Sequence, residues 1–264
     1  MRPKMNTPKA FLLALAMLAS VAALNAACVL DGDWGDFLPG RDYEVTYQKT
    51  FPLKADGSFS LKNTNGFVHI STWNRDEVDV NAKKIASRRE SDLERVQIEV
   101  DASSGAVRID TVYEKYRNLR VKVNYEVKVP EGCRIELARS TNGDIELAGR
   151  FGKVKAGTTN GDIRLESATG QAELSTTNGG IVLELRDLTD DIRADTTNGS
   201  IKIRLPGDPN ARLVARTTNG SIRTDYPVTI EGTVNSRRRL EGTLGKGGPT
   251  ISLETTNGSI TINR

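Results

Sequence analysis

From Ser140 to the C-terminus, aliphatic and polar residues alternate in short bursts, each opened by the phrase Thr-Asn-Gly. Behind the phrase come Ile145 and Leu147, Ile163 and Leu165, Ile181 and Leu183, Ile201 and Ile203, and Ile260 and Ile262. A period of two predicts a strand with one buried face. About nine residues later a second alternation follows: Val154 and Ala156, Ala172 and Leu174, Ile192 and Ala194, Leu213 and Ala215, Ile251 and Leu253. Each unit therefore holds two short strands, and its corners are Asn142-Gly143, Asn160-Gly161, Asn178-Gly179, Asn198-Gly199, Asn219-Gly220 and Asn257-Gly258. Asn and Gly both tolerate the left-handed backbone region, which predicts positive φ at these corners.

The glycine spacings from Gly143 onward are 18, 18, 20, 21 and 38. The last is about two periods, which predicts a decayed copy within residues 231 to 248. A unit this small cannot bury a core alone, but stacked units can. The expected fold is all-β: a single-chain β-solenoid with coils of 18–21 residues, its equivalent strands about 4.8 Å apart. The competing architecture is a meander, sandwich or barrel, because Asn-Gly is also a favoured hairpin turn. The aliphatic pairs stay in register with every copy, which favours the solenoid.

Residues 51 to 133 alternate less regularly. Phe59 and Leu61, Val68 and Ile70, Val78 and Val80, Val107 and Ile109, and the run from Val121 to Val129 predict longer strands. They are expected to form an irregular β region and N-terminal cap, followed by the repeat solenoid over residues 134 to 264. The chain ends two residues after Ile262 with no cap in the sequence, so a C-terminal edge strand is expected, open to self-association unless Arg264 and the nearby polar residues blunt it.

The N-terminus reads as a signal peptide over residues 1 to 27. Arg2, Lys4 and Lys9 precede an uncharged apolar run over residues 10 to 24, short against the roughly 20 residues of a membrane span. Leu24-Asn25-Ala26-Ala27-Cys28 is similar to a lipoprotein signal, with Cys28 as the lipidation site. Asn25 stands where such signals carry an aliphatic residue, so ordinary cleavage competes. Residues 28 to 50 read as a polar linker; the acids Asp31, Asp33 and Asp36 lack the closing Glu of a calcium loop.

The net charge of +3 lies wholly in residues 1 to 27, leaving thirty-four bases and thirty-four acids beyond them. No long-range field draws a polyanion, and nucleic acid is not an expected partner. Cys28 and Cys133 could form one disulfide; with Cys28 lipidated, Cys133 would be unpaired and buried.

Candidate chemistry is sparse. His69 is the sole histidine and alternation turns it outward. Asp144 and Asp162 stack one coil apart, with Glu146 expected to pair with Arg164 between coils, which is what a solvated solenoid face supplies. No phosphate loop, dinucleotide fingerprint or nucleophile elbow is present. No catalytic residue, cofactor or metal site is assigned. Arg237, Arg238 and Arg239 interrupt the repeat as a candidate patch for anionic lipid headgroups or an acidic glycan.

Three stretches carry a resemblance: Trp73-x-Arg75-Asp76-x-Val78, the joint Val129-Pro130-x-Gly132, then the serial Thr-Thr-Asn-Gly units. In this order, over roughly residues 51 to 264, the chain resembles a bacterial putative-adhesin family, a domain of unknown function. The resemblance implies an exported or membrane-attached β-solenoid and offers no catalytic residues. The expectation is a non-catalytic scaffold or adhesion surface at the bacterial cell envelope, lipid-anchored where Cys28 is lipidated, with an envelope protein or glycan as partner. The alternative is a secreted or periplasmic carbohydrate-active solenoid enzyme.

Overall fold

The computed structural model describes residues 42–103, 105–115, 119–230 and 236–264. The signal peptide, Cys28 and the three acids of the linker lie outside the described residues. The second part of the expected linker is not a linker: β1 (Tyr43–Pro52) is a ten-residue strand, because Tyr43, Tyr47 and Phe51 on one face pack on the core.

The chain continues through β2 (Ser58–Lys62), β3 (Val68–Trp73), β4 (Glu77–Ala86), β5 (Val96–Ser103), β6 (Ala106–Tyr113), β7 (Val121–Pro130), β8 (Arg134–Arg139) and β9 (Ile145–Ala148). Then come β10 (Lys153–Asn160), β11 (Ile163–Ala168), β12 (Gln171–Asn178), β13 (Ile181–Leu185), β14 (Ile192–Asn198) and β15 (Ile201–Arg204). The last are β16 (Ala211–Asn219), β17 (Ile222–Thr224), β18 (Arg239–Leu244), β19 (Thr250–Asn257) and β20 (Ile260–Asn263).

They form two ten-stranded sheets that do not close on themselves. Sheet 1 runs β1-β4-β7-β3-β9-β11-β13-β15-β20-β17, and sheet 2 runs β18-β16-β19-β14-β12-β10-β8-β2-β6-β5. Each coil gives one strand to each sheet. The fold is an all-β solenoid with an irregular N-terminal part.

Equivalent aliphatics pair in register from coil to coil. Ile145, Ile163, Ile181, Ile201 and Ile260 form one inward column of sheet 1, and Leu147, Leu165, Leu183, Ile203 and Ile262 the next. All are essentially fully buried, each contributing roughly 1.5–3 kcal/mol.

The order of coils in space is not their order in the chain. β2–β3 lies against β8–β9, and β6–β7 lies outside it. At the other end β19–β20 is inserted between β14–β15 and β16–β17. Two expectations are thereby corrected. The chain's last strand is not an edge, since β20 pairs with β15 on one side and β17 on the other. Nor does the 38-residue spacing hide a lost coil: β18 runs antiparallel to β16, and the chain then returns to the stack.

The physical reason lies in β17, which has only three residues and is followed by Pro227. Such a strand is a poor interior element and a good edge. Tyr226 and Leu244 close this end, with the Tyr226 hydroxyl donating to the Leu205 carbonyl at 3.1 Å. At the opposite end Leu93, on a 3-10 turn over Glu90–Leu93, is buried in the core.

Candidate functional site

The repeated phrase builds two ladders along the corner between the sheets. Asn142 Nδ2 donates to Asn65 Oδ1 at 2.8 Å, Asn160 to Asn142 at 2.7 Å, Asn178 to Asn160 at 2.8 Å and Asn198 to Asn178 at 2.8 Å. Asn257 donates to Asn198, and Asn219 to Asn257, each at 2.8 Å. The first threonine of the phrase points inward instead. Thr158, Thr176, Thr196, Thr255 and Thr217 are buried, and each hydroxyl donates at 2.8–3.0 Å to the glycine carbonyl of the adjoining coil. Ser140 and Asn63 occupy the equivalent positions in the first two copies, on Gly66 and Val123 carbonyls respectively.

Positive φ at the named corners falls on glycine, at Gly143 (158°) and Gly161 (154°), and not on asparagine: among described residues Ser167 is the one non-glycine with positive φ. Glycine is needed for close approach. A Cβ at Gly179, Gly199, Gly220 or Gly258 would run into the carbonyl of the neighbouring coil's glycine. The asparagine is set by the ladder and the glycine by close approach, joined at Gly66, Gly143 and Gly161 by positive φ.

The stacked acids are likewise absorbed by the architecture. Asp144 Oδ1 accepts from the Asp162 backbone N–H at 2.8 Å, and Asp162 Oδ1 accepts from that of Gly180 at 2.7 Å. Glu146 does not pair with Arg164 as expected. It meets His69 Nδ1 at 3.3 Å, and Arg164 bonds Glu166 on its own strand at 3.4 Å.

The arginine run is divided. Arg239 begins β18 and bonds Glu241 at 2.8 Å, while Arg216 approaches the same carboxylate at 3.3 Å. The Arg239 hydrogen bond, foremost, holds the Glu241 carboxyl below its usual range. Arg237 and Arg238 form the exposed turn before β18, their carbonyls accepting from the backbone of Ile222 and Thr217.

Cys133 is fully buried and free, and burial pushes its thiol up to about 12. It is therefore a poor nucleophile. Among described residues no group of three or more His, Cys, Asp and Glu is placed to hold a metal ion. No helix there is long and apolar enough to cross a membrane.

The concavity that sequence reasoning missed is on the outer face of sheet 1. A groove of about 650 Å³ is lined by Gln48, Asn81, Asp79, Glu126, Lys128, His69, Ser71 and Glu146, with Phe67 and Asp144 on one side. Register explains the gathering. Gln48 pairs with Asn81, Asn81 with Glu126, Glu126 with His69, and His69 with Glu146. The same row continues through Arg164, Val182, Lys202, Thr261 and Arg223. Its acids lie toward β7 and its bases toward β17. On β3 beyond Ser71, Trp73 donates Nε1–H to the Glu77 carbonyl at 2.7 Å, with Arg75 and the groove's Lys128 over its ring. That ring is committed to cations and is not a free sugar platform.

The sequence matches the Toastrack DUF4097 family over residues 44–263. No curated protein matches it. Among solved structures, a "putative cell adhesion protein" from Clostridium sporogenes is similar at a TM-score of 0.49 and 12% identity, over 83% of this chain and 99% of that one. A "putative adhesin" from Bacteroides fragilis has a TM-score of 0.35 and 12% identity, over 86% and 99%. A "putative lipid binding protein" from Parabacteroides distasonis has a TM-score of 0.31 and 11% identity, over 82% and 96%. The family match starts at the second residue of β1 and ends at the last of β20, enclosing both sheets, and the chain belongs to the Toastrack DUF4097 family.

Proposed function

We propose that the protein is an exported, non-catalytic binding protein of the bacterial cell envelope, and that its binding surface is the outer face of sheet 1. The carrying observation is the groove itself. It brings carboxylates, amides, a histidine and a hydroxyl from five strands together on a face whose strands β4, β7, β3 and β9 are each paired on both sides, with β1 at the sheet's edge. Rigid presentation of convergent polar groups suits recognition. The leader and Cys28 support export, with or without a lipid anchor.

The test is a photo-crosslinking residue at Ser71, in the groove, set against one at Ser252 on the outer face of sheet 2, both in living cells. Capture of an envelope component from Ser71 and not from Ser252 is expected. Equal capture from both positions would discard the reading.

The gathering of Asp79, Glu126, Asp144 and Glu146 favours one second reading, a carbohydrate-active enzyme. Release of reducing ends from envelope polysaccharide, abolished by Glu126→Gln, would establish it. The engagement of Asp144 with backbone and of Glu146 with His69 speaks against it.

A further inference from the structure

The outer face of sheet 1 departs from its own repeat in two places. After Asn-Gly the other coils carry Asp144, Asp162, Ser200, Ser259 and Ser221, but the first copy carries Phe67, which is 41% exposed. The coil of β13 carries Gly180, and its next outward residue is Val182. That coil offers a bare spot beside an aliphatic one.

These two irregularities are related by position. Phe67 and His69 belong to the coil of β3, Gly180 and Val182 to that of β13, and β9 and β11 lie between them. The midpoint, between β9 and β11, is also where the central row changes sign. Glu126 and Glu146 lie on one side; Arg164, Lys202 and Arg223 lie on the other.

We propose that this face docks on the same face of a second copy of the chain, about a two-fold axis running along the strands between β9 and β11. Counting strands from that axis puts Glu126 opposite the partner's Lys202 and Glu146 opposite the partner's Arg164. It puts Phe67 opposite the partner's Gly180 and His69 opposite the partner's Val182. Each contact occurs twice, as an isologous interface requires. An exposed ring meets the coil that lacks a side chain, and the acidic half of the row meets the basic half.

Two like-charge approaches oppose the docking, Asp144 with the partner's Asp162 and Lys128 with the partner's Arg204. Both flank the central row. The carboxylates of Asp144 and Asp162 already accept backbone N–H groups, and Arg204 has Glu184 at 3.9 Å. The contact is therefore expected to weaken with salt.

This proposal rests on the reading of sheet 1 as the binding surface and names its partner. The experiment uses the full chain in cells that export it. Glu126→Cys and Lys202→Cys are combined, and a short bismaleimide is added, since facing sheets lie about 10 Å apart, beyond a disulfide's reach. A covalent homodimer is expected from the pair and not from either single variant. In sedimentation of the purified protein, Glu126→Lys and Lys202→Glu should each weaken the dimer about tenfold. The double charge exchange should restore it. A face that links only to another protein or to a glycan overturns self-docking and leaves the binding-surface reading standing. A face that captures nothing overturns both. Dimers indifferent to all three charge variants also overturn the proposal, because they use another surface.

Discussion

Asn257 and Asn198 are 59 residues apart in the chain and joined by a 2.8 Å hydrogen bond, Nδ2 of the first donating to Oδ1 of the second. Asn257 Oδ1 in turn accepts from Asn219. The chain's last corner thus holds an interior place, the sixth, in a ladder of seven asparagines. Each internal member has both a donor and an acceptor committed, which makes the ladder sensitive to loss of either. Asn178→Asp keeps the shape and replaces the donor with an acceptor facing Asn160 Oδ1. A loss of about 1–3 kcal/mol is expected at pH 7. Protonation restores an O–H donor, so the introduced carboxyl's folded pKa is raised, and the deficit should shrink as pH falls through that raised value and be smallest below the unfolded carboxyl's pKa of about 4. Thermal melts of the variant against pH measure this. A deficit independent of pH would mean the ladder bond contributes nothing.

The corner glycines serve proximity between coils. Gly199→Ala places a methyl group in the Gly179 carbonyl and must push two coils apart, with an expected cost of about 1–3 kcal/mol or more. Gly207 has open space around the position of its Cβ. Gly207→Ala should stay within about 0.5 kcal/mol of the parent. Denaturant midpoints of the two variants separate crowding from the general entropic effect of removing a glycine.

Alternation along β13 gives neighbouring residues opposite roles. Ile181 is fully buried in the column between Ile163 and Ile201, while Val182 faces outward. Ile181→Asp sets an unpaired charge in the core and is expected to unfold the adjoining coils. Val182→Asp should leave the fold intact. Circular dichroism of both variants checks the register, and a folded Ile181→Asp would be incompatible with it.

The strands from Ile145 onward were legible because core aliphatics recur in step with a fixed phrase, and a column of Ile and Leu needs nothing more. The order of stacking was not. Any Thr-Asn-Gly corner fits against any other, since Asn bonds Asn and Thr reaches a glycine carbonyl whichever copy supplies it. Neighbour choice is decided by what is unsuited to the interior, here β17 with Pro227 behind it. The groove was illegible for a related reason. Alternation marks Asp79, Asn81, Glu126 and Lys128 as outward, but placing Gln48 beside Asn81 and Glu126 beside His69 requires the register of β1, β4, β7 and β3, in which chain neighbours are not sheet neighbours. The arginine run was visible as composition, and only the fold shows that Glu241 claims Arg239 and leaves Arg237 and Arg238 at the turn.

Cys133 provides a titration of the fold from inside. Its thiol is raised from 9.0 to about 12, with burial as the main cause and Arg134 pulling the other way. A raised folded pKa means that the native state favours the neutral thiol. The stabilisation is fully present below the unfolded thiol's pKa near 9 and is lost as pH rises from there through about 12. Alkaline pH should therefore lower the denaturant midpoint over that window, and Cys133→Ala should remove this part of the dependence. Native protein should leave Cys133 unlabelled by a maleimide at pH 7, and unfolding should expose it fully. Rapid native labelling at Cys133 would contradict the burial of the joint between β7 and β8, and with it the packing that seats the first repeat on the N-terminal coils.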